Sequence, residues 1–141
     1  MQRVARAEVR VDGAAIGAVE RGLVVLLGVV GADTPDVAAR LAAKIAALRI
    51  FPDDAKPMNR SVVDVAGAVL VVSQFTLVAD TSRGNRPSFT TAAQPAHALA
   101  VYDAFVAALR THVPDVACGE FGADMQVELV NDGPVTFVID A

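Results

Sequence analysis

Apolar and polar residues alternate from Arg3 to Val11, with Ala5, Ala7, Val9 and Val11 interleaved with Arg6, Glu8 and Arg10. A period of two sends successive side chains to opposite faces, so this stretch predicts a half-buried strand. Asp12-Gly13 supplies a two-residue turn and Ile16 to Val19 a short partner, which makes the N-terminus a hairpin. Leu23 to Val30 is apolar without interruption and predicts a strand buried on both faces. The pattern changes at Asp33-Thr34-Pro35, a capping side chain followed by proline at the first helical position. Val37, Leu41, Ile45 and Leu48 then recur at helical spacing, predicting a helix to about Arg49.

Pro52-Asp53-Asp54 and Lys56-Pro57 predict a loop, followed by a short strand over Ser61 to Val65 and a longer one over Val69 to Leu77. Val78 to Gln94 has little periodicity. Pro95 opens a second helix whose apolar line runs through Leu99, Tyr102, Val106 and Leu109, with His112 at its end. Met125, Val127 and Leu129 alternate with Gln126 and Glu128, Asn131-Asp132-Gly133-Pro134 turns the chain, and Val135, Phe137 and Ile139 alternate on the way out. This segment predicts a terminal hairpin.

Composition narrows the class. With 141 residues, 54% hydrophobic, 20% charged and a formal net charge of −4, the chain has the profile of one globular domain with a substantial core. Its longest apolar run, Gly22 to Gly31, is half the length of about 20 residues needed to cross a bilayer. No charged-apolar-cleavage pattern opens the chain, which points to the cytoplasm. A single cysteine, Cys118, and two histidines, His97 and His112, give neither an internal disulfide nor a zinc ligand set, so no metal and no cofactor are expected. Cys118 reads as a small packed residue, because its sequence neighbours offer no base or positive charge to activate a thiol. His97 reads as a surface residue and His112 as a complement to a helix dipole.

Chemistry enters where strand character breaks. Val69-Leu70-Val71-Val72 is followed by Ser73-Gln74-Phe75-Thr76, and polar groups ending a buried strand either satisfy backbone groups where it turns or face a cleft. The aperiodic loop carries Arg83, Arg86, Ser88 and Phe89, residue types that hold a phosphate backbone and stack on a base, although arginines on a solvated loop explain the same pattern. Gly133-Pro134 can aim two consecutive carbonyls at one ligand. By itself it is an ordinary turn with a trans proline.

Ser73-Gln74-Phe75-Thr76-Leu77 taken with Asn131-Asp132-Gly133-Pro134-Val135-Thr136 resembles the paired signature of the D-aminoacyl-tRNA deacylases. The resemblance spans essentially the whole chain through Gln2-Arg3-Val4, Leu48-Arg49-Ile50-Phe51, Met58-Asn59, Arg86-Pro87-Ser88-Phe89 and Phe121-Gly122-Ala123-Asp124-Met125. Two departures are a start a few residues late relative to the usual first strand, and Val78 where the family often has tyrosine.

The resemblance implies an α/β fold of mixed, largely antiparallel β-sheet layers with helices packed on one side (β/β/α), and a homodimer with each active site at the subunit interface. It implies hydrolysis of the ester between a D-amino acid and the tRNA 3′ end. Backbone donors at Phe75 and Thr76 would stabilise the oxyanion, Ser73 and Gln74 would orient the substrate, and Thr76 is the weaker candidate for a nucleophile. In the family the ribose 2′-hydroxyl assists the attack, which suits a chain without a Ser-His-Asp set. A cis Gly133-Pro134 lent across the interface would reject L-amino acids while admitting glycine, making glycyl-tRNA mischarged on tRNA-Ala a second candidate substrate. Arg3, Met125 and Thr136 would support this gate, and Arg83, Arg86 and Phe89 would contact the tRNA acceptor end, with no part for DNA or membrane. The competing reading is a non-catalytic small-molecule or RNA-binding dimer on the same core.

Overall fold

The computed structural model describes Met1 to Ala141. Strand β1 (Gln2–Val11) is shared by three others. β2 (Ala14–Val19) pairs antiparallel with its C-terminal half, β3 (Gly22–Leu27) with Gln2 to Val4, and β6 (Gln126–Thr136) along the opposite edge. β4 (Ala68–Ser73) and β5 (Val116–Cys118) extend the sheet from β3 in parallel, giving a six-stranded mixed sheet. The β1–β2 turn has Asp12 at φ 49° and Gly13 at φ 80°, the two positive values that a tight two-residue hairpin requires.

The sheet curls until β2 faces β5: a Cβ added at Gly17 would come within 2.9 Å of the Cys118 carbonyl oxygen. Its alternating residues therefore feed two cores. Val24, Leu70 and Val72 point inward to meet Val4, Ala7, Val9 and Val19. Leu23, Val25, Val69 and Val71 point outward against α1 (Pro35–Ala47) and α2 (Pro95–Arg110), joined by Phe51 and Phe105. This is the expected arrangement of β layers with helices on one side. α1 opens as its sequence predicts, with the Thr34 hydroxyl accepting from the Val37 N–H and Pro35 in the first turn, and it ends two residues before Arg49. Its buried face consists of Ala38, Ala42, Ile45 and Ala46, and α2 is the element that packs closely against it; Leu99 of α2, expected on the apolar line, is exposed.

Several segments differ from the sequence pattern. β3 stops at Leu27, and Val30 forms only a single bridge to Ala92. Ser61 to Val65 is a turn: Ser61 N–H donates to the Asp64 carboxylate at 2.8 Å and Asp64 N–H to the Ser61 hydroxyl at 3.1 Å, so side chains take the bonds that a strand partner would need. Hydrogen bonding from Ser61 holds the Asp64 carboxyl below the usual aspartate range. The strand expected over Val69 to Leu77 ends at Ser73 and passes into a 3-10 turn over Phe75–Val78. The terminal hairpin is instead one strand with a bulge. Val4 pairs with Asn131 and Gln2 with Thr136, so the residues between swell out of the ladder while both ends stay on β1. β5, at three residues, carries no readable period.

The inner core is closed and fully apolar, so truncation there leaves a void. Leu70→Ala, at a fully buried site, is expected to lower unfolding free energy by about 2–5 kcal/mol. Urea unfolding with an unchanged m-value would register it.

Candidate active site

Ser73, opposite Leu27 in the parallel ladder, is the last residue of β4. Gln74 still donates its N–H to the Leu27 carbonyl at 2.8 Å, and the chain then tightens into the 3-10 turn, where Leu77 N–H reaches Gln74 O at 3.3 Å and Ala79 N–H reaches Thr76 O at 3.2 Å. The N–H groups opening such a turn have no acceptor within it, and the Gln74 side chain does not cap them. That side chain instead donates to the Thr76 hydroxyl. Phe75 is 60% exposed and meets Phe89 edge to face, ring centroids 5.1 Å apart. Thr91 donates its hydroxyl to Val78 O at 3.0 Å, fastening the end of the loop to the turn.

Gln74, Leu77 and Val78 line one side of an open groove of about 770 Å³. Thr136, Phe137 and Val138 line it from β6 and the chain beyond. The groove is predominantly apolar, and Leu77 and Val138 are 57% and 91% exposed on it. Gly133 and Pro134 do not line it, and both are exposed on the β6 bulge.

The Gly133-Pro134 peptide is cis. The bulge is braced from two sides. Asn131 spans it, accepting from Val135 N–H at 3.1 Å and donating to Val135 O at 3.3 Å. Arg3, only 8% exposed, donates Nε to Asp132 O at 2.9 Å and Nη1 to Ile50 O at 2.6 Å, with the Asp132 carboxylate 3.2 Å away and the Phe51 ring beneath its guanidinium. Met125 lies apart from this brace, its sulfur against Gly119. Arg83 and Arg86 stand exposed on the loop between Asp80 and Ser88.

None of Ser73, Gln74, Phe75, Thr76, Gly133 or Pro134 carries a titratable side chain. The nearest carboxyl on the loop, Asp80, is held below its ordinary range by hydrogen bonding from Ser82. No group of three or more His, Cys, Asp or Glu side chains is placed to hold a metal ion.

The model of one family, described as D-Tyr-tRNA(Tyr) deacylase, matches residues 1–140. The chain belongs to that family. A relative from Deinococcus radiodurans named D-aminoacyl-tRNA deacylase is 59% identical over 140 residues, covering 99% of this chain and 97% of its own. Another of that name, from Thermus aquaticus, is 55% identical over 141 residues, with 100% and 93% covered. A solved structure described as c-Myc DNA Unwinding Element Binding Protein superposes with a TM-score of 0.93 at 40% identity, over 99% of this chain and 95% of that one. One described as a probable eukaryotic D-amino acid tRNA deacylase gives 0.80 over 94% and 92%, and at 16% identity it supports the fold alone. The family activity is hydrolysis of D-aminoacyl-tRNA, and the chain is an enzyme of that hydrolase class.

Sequence reading missed two contributors to this region and one contact away from it. In sequence Asn131 reads as a turn residue with no role of its own, yet its amide closes the bulge; an amide side chain just ahead of Gly-Pro is the signal for such bridging. Ile50 offers only its carbonyl, which no side-chain pattern reveals. Arg110 is remote from Cys118 in sequence but places Nη2 3.8 Å from its sulfur, so the thiol does have a positive neighbour. Burial, and then the proximity of Cys118, push the Tyr102 phenol well above its ordinary range, while its hydroxyl donates to Val71 O at 3.0 Å.

The fork of Arg3 reaches two carbonyls that a single ammonium cannot span. Arg3→Lys is expected to cost roughly 1.5–3 kcal/mol of stability. It should also speed hydrogen exchange of the Val135 N–H, read by NMR against amides of α2.

Proposed function

We propose that the chain removes D-amino acids from tRNA at a site completed by a second copy of itself, working in the cytoplasm where aminoacylated tRNA is found. The observation that carries this reading is the separation of the two motifs. Gln74 and Leu77 line the groove, whereas Gly133 and Pro134 sit outside it on an exposed, braced bulge. A bulge fixed by Arg3 and Asn131 but directed at nothing in its own chain suits a wall lent to another subunit. The apolar groove beside the turn, with Leu26, Leu77 and Val138 exposed, suits the contact that would bring the copies together.

In this reading the Phe75 and Thr76 N–H groups receive the oxyanion that forms when the ester carbonyl is attacked, and Ser73 and Gln74 orient the ribose and the amino group. An aminoacyl ester is already activated, so positioning and charge stabilisation carry most of the rate without a side-chain base. The attack is assisted by the 2′-hydroxyl of the terminal ribose. With the amino group, ester and ribose fixed, an L-side chain points opposite to a D-side chain and meets the Gly133 and Pro134 carbonyls, whereas D-residues and glycine do not. Arg3 holds that wall, and Met125 and Thr136 flank the site from β6 and its approach. Arg83, Arg86 and Phe89 engage the acceptor end. Contact is local, because a chain of net charge −4 cannot blanket a whole tRNA with cations.

Deacylation of D-aminoacyl-tRNA alongside its L-counterpart tests the activity and its chirality, and sedimentation tests the assembly. A dimer at micromolar concentration that hydrolyses only the D-ester is expected. A fully active monomer would remove the shared site, and binding without hydrolysis would leave a non-catalytic module.

The nucleophile is tested separately. Thr76→Ala should lose less activity than replacing the terminal 2′-hydroxyl of the substrate with hydrogen, measured as single-turnover rates. The reverse order, or an acyl-enzyme trapped on Thr76, would make Thr76 covalent.

A further inference from the structure

The loop between the 3-10 turn and α2 is more ordered than its sequence suggests. Asp80 and Ser88 exchange two backbone hydrogen bonds, Asp80 N–H to Ser88 O at 2.8 Å and Ser88 N–H to Asp80 O at 2.9 Å, closing a short hairpin over Thr81 to Pro87. Gly84, at φ 66°, turns its tip. Arg83 and Arg86 project from that tip, and neither enters an ion pair: those of the chain are Arg3–Asp132, Arg6–Glu128 and Arg10–Glu8. The one carboxylate between Val78 and Gln94, Asp80, is engaged by Ser82 N–H at 2.9 Å. Immediately after the hairpin, half-buried Phe89 holds Phe75 edge to face at 5.1 Å, leaving Phe75 60% exposed on the same turn as Thr76. Free cations and an exposed, propped aromatic ring thus occupy one continuous segment that ends at the candidate oxyanion donors.

We propose that this segment is a subsite for the unpaired nucleotides preceding the terminal adenosine of the substrate, with a base stacked on Phe75 as Phe89 supports it, and with Arg83 and Arg86 taking the adjoining phosphates. The proposal rests on the deacylase reading and specifies which part of the RNA is held outside the reacting centre. A strand of nucleic acid is the occupant that uses both features at once, because each nucleotide brings a π-face and a negative charge at a fixed interval. Stacking tolerates any base, so recognition here follows the presence of a base rather than its identity. Acidic character elsewhere on the chain confines the contact to this loop.

The test compares D-aminoacyl esters of adenosine, of the 3′-terminal trinucleotide CCA, of the same trinucleotide with an abasic residue before the adenosine, and of full tRNA. The wild-type enzyme is expected to favour the trinucleotide over adenosine in kcat/KM, and the abasic substrate to lose about tenfold of that advantage, as does Phe89→Leu with the intact trinucleotide. The abasic arm requires no change to the protein and so is indifferent to folding. Arg83→Gln with Arg86→Gln should flatten the dependence of log KM on log salt by about 1.4, the value for two phosphates of a single strand. A trinucleotide hydrolysed no better than aminoacyl-adenosine, or an advantage that survives the abasic substitution, overturns the subsite and leaves deacylation standing. A wild-type enzyme inactive on all of these esters overturns the deacylase reading and the subsite together.

Discussion

A strand has two edges, and β1 must serve three partners. One edge is taken by β6 along most of its length, and the other is divided between β3 at Gln2 to Val4 and β2 at Ala7 to Val11. Along that edge the register runs unbroken from Val4 opposite Gly22 to Ala7 opposite Val19. The strand bends, its register shifts between Val9 and Arg10, and the sheet closes over an inner core of its own. On the β6 edge the ladder opens: Gln2 and Val4 are two residues apart while their partners Thr136 and Asn131 are five. Four residues, Asp132 to Val135, stand there against the single Arg3. The Gly133-Pro134 bulge swells from β6 opposite Arg3, which lies between the two mismatched pairs and is the side chain placed to hold it.

What was legible in the sequence was whatever follows from local period and capping. The Asp12-Gly13 turn and the Thr34-Pro35 helix start each specify their structure within a few residues and appear where the pattern put them; the alternation of the first strand holds only from Arg6 onward, since a register shift between Val4 and Arg6 leaves Ala5 exposed and Arg3 and Val4 buried. Segments whose fate is settled at a distance were not legible. Ser61 to Val65 has the apolar residues of a strand, but Ser61 and Asp64 bond each other's backbone instead. The end of β4 was misplaced because Leu77 continues its apolar pattern, and only the outward turn at Gln74 exposes Leu77 to the groove. The terminal segment reads as a hairpin because Asn-Asp-Gly-Pro is turn chemistry; that both halves return to the same strand is a property of β1, invisible from residues 125 to 139.

The site was legible in residue type and illegible in assembly. A buried strand that gives way to hydroxyl, amide and aromatic groups marks a change of environment, and Ser73 to Thr76 do lie where β4 leaves the core. Sequence could not show that Gln74 shares a groove with Thr136 while Gly133 and Pro134 stand outside it, since that depends on where the bulge swells relative to the sheet edge.

Catalysis by backbone donors has a structural requirement that side-chain catalysis lacks. A histidine can swing and still find its proton, whereas an N–H group is only as well aimed as the peptide that carries it, and its benefit comes from not having to reorganise when charge develops. The turn bearing Phe75 and Thr76 is fixed at its start by Gln74 N–H to Leu27 O, within by Ala79 N–H to Thr76 O, and at its end by the Thr91 hydroxyl to Val78 O. The first of these extends the β3–β4 ladder, so the proposed donors inherit the rigidity of two strands buried between both cores. A surface turn of four residues would be a poor place for an oxyanion hole in isolation. Mounted on β4 and clamped by the loop it leads into, the turn is held as the proposed hole requires, and in that reading side chains of unremarkable chemistry around it would suffice to orient an ester that is already reactive.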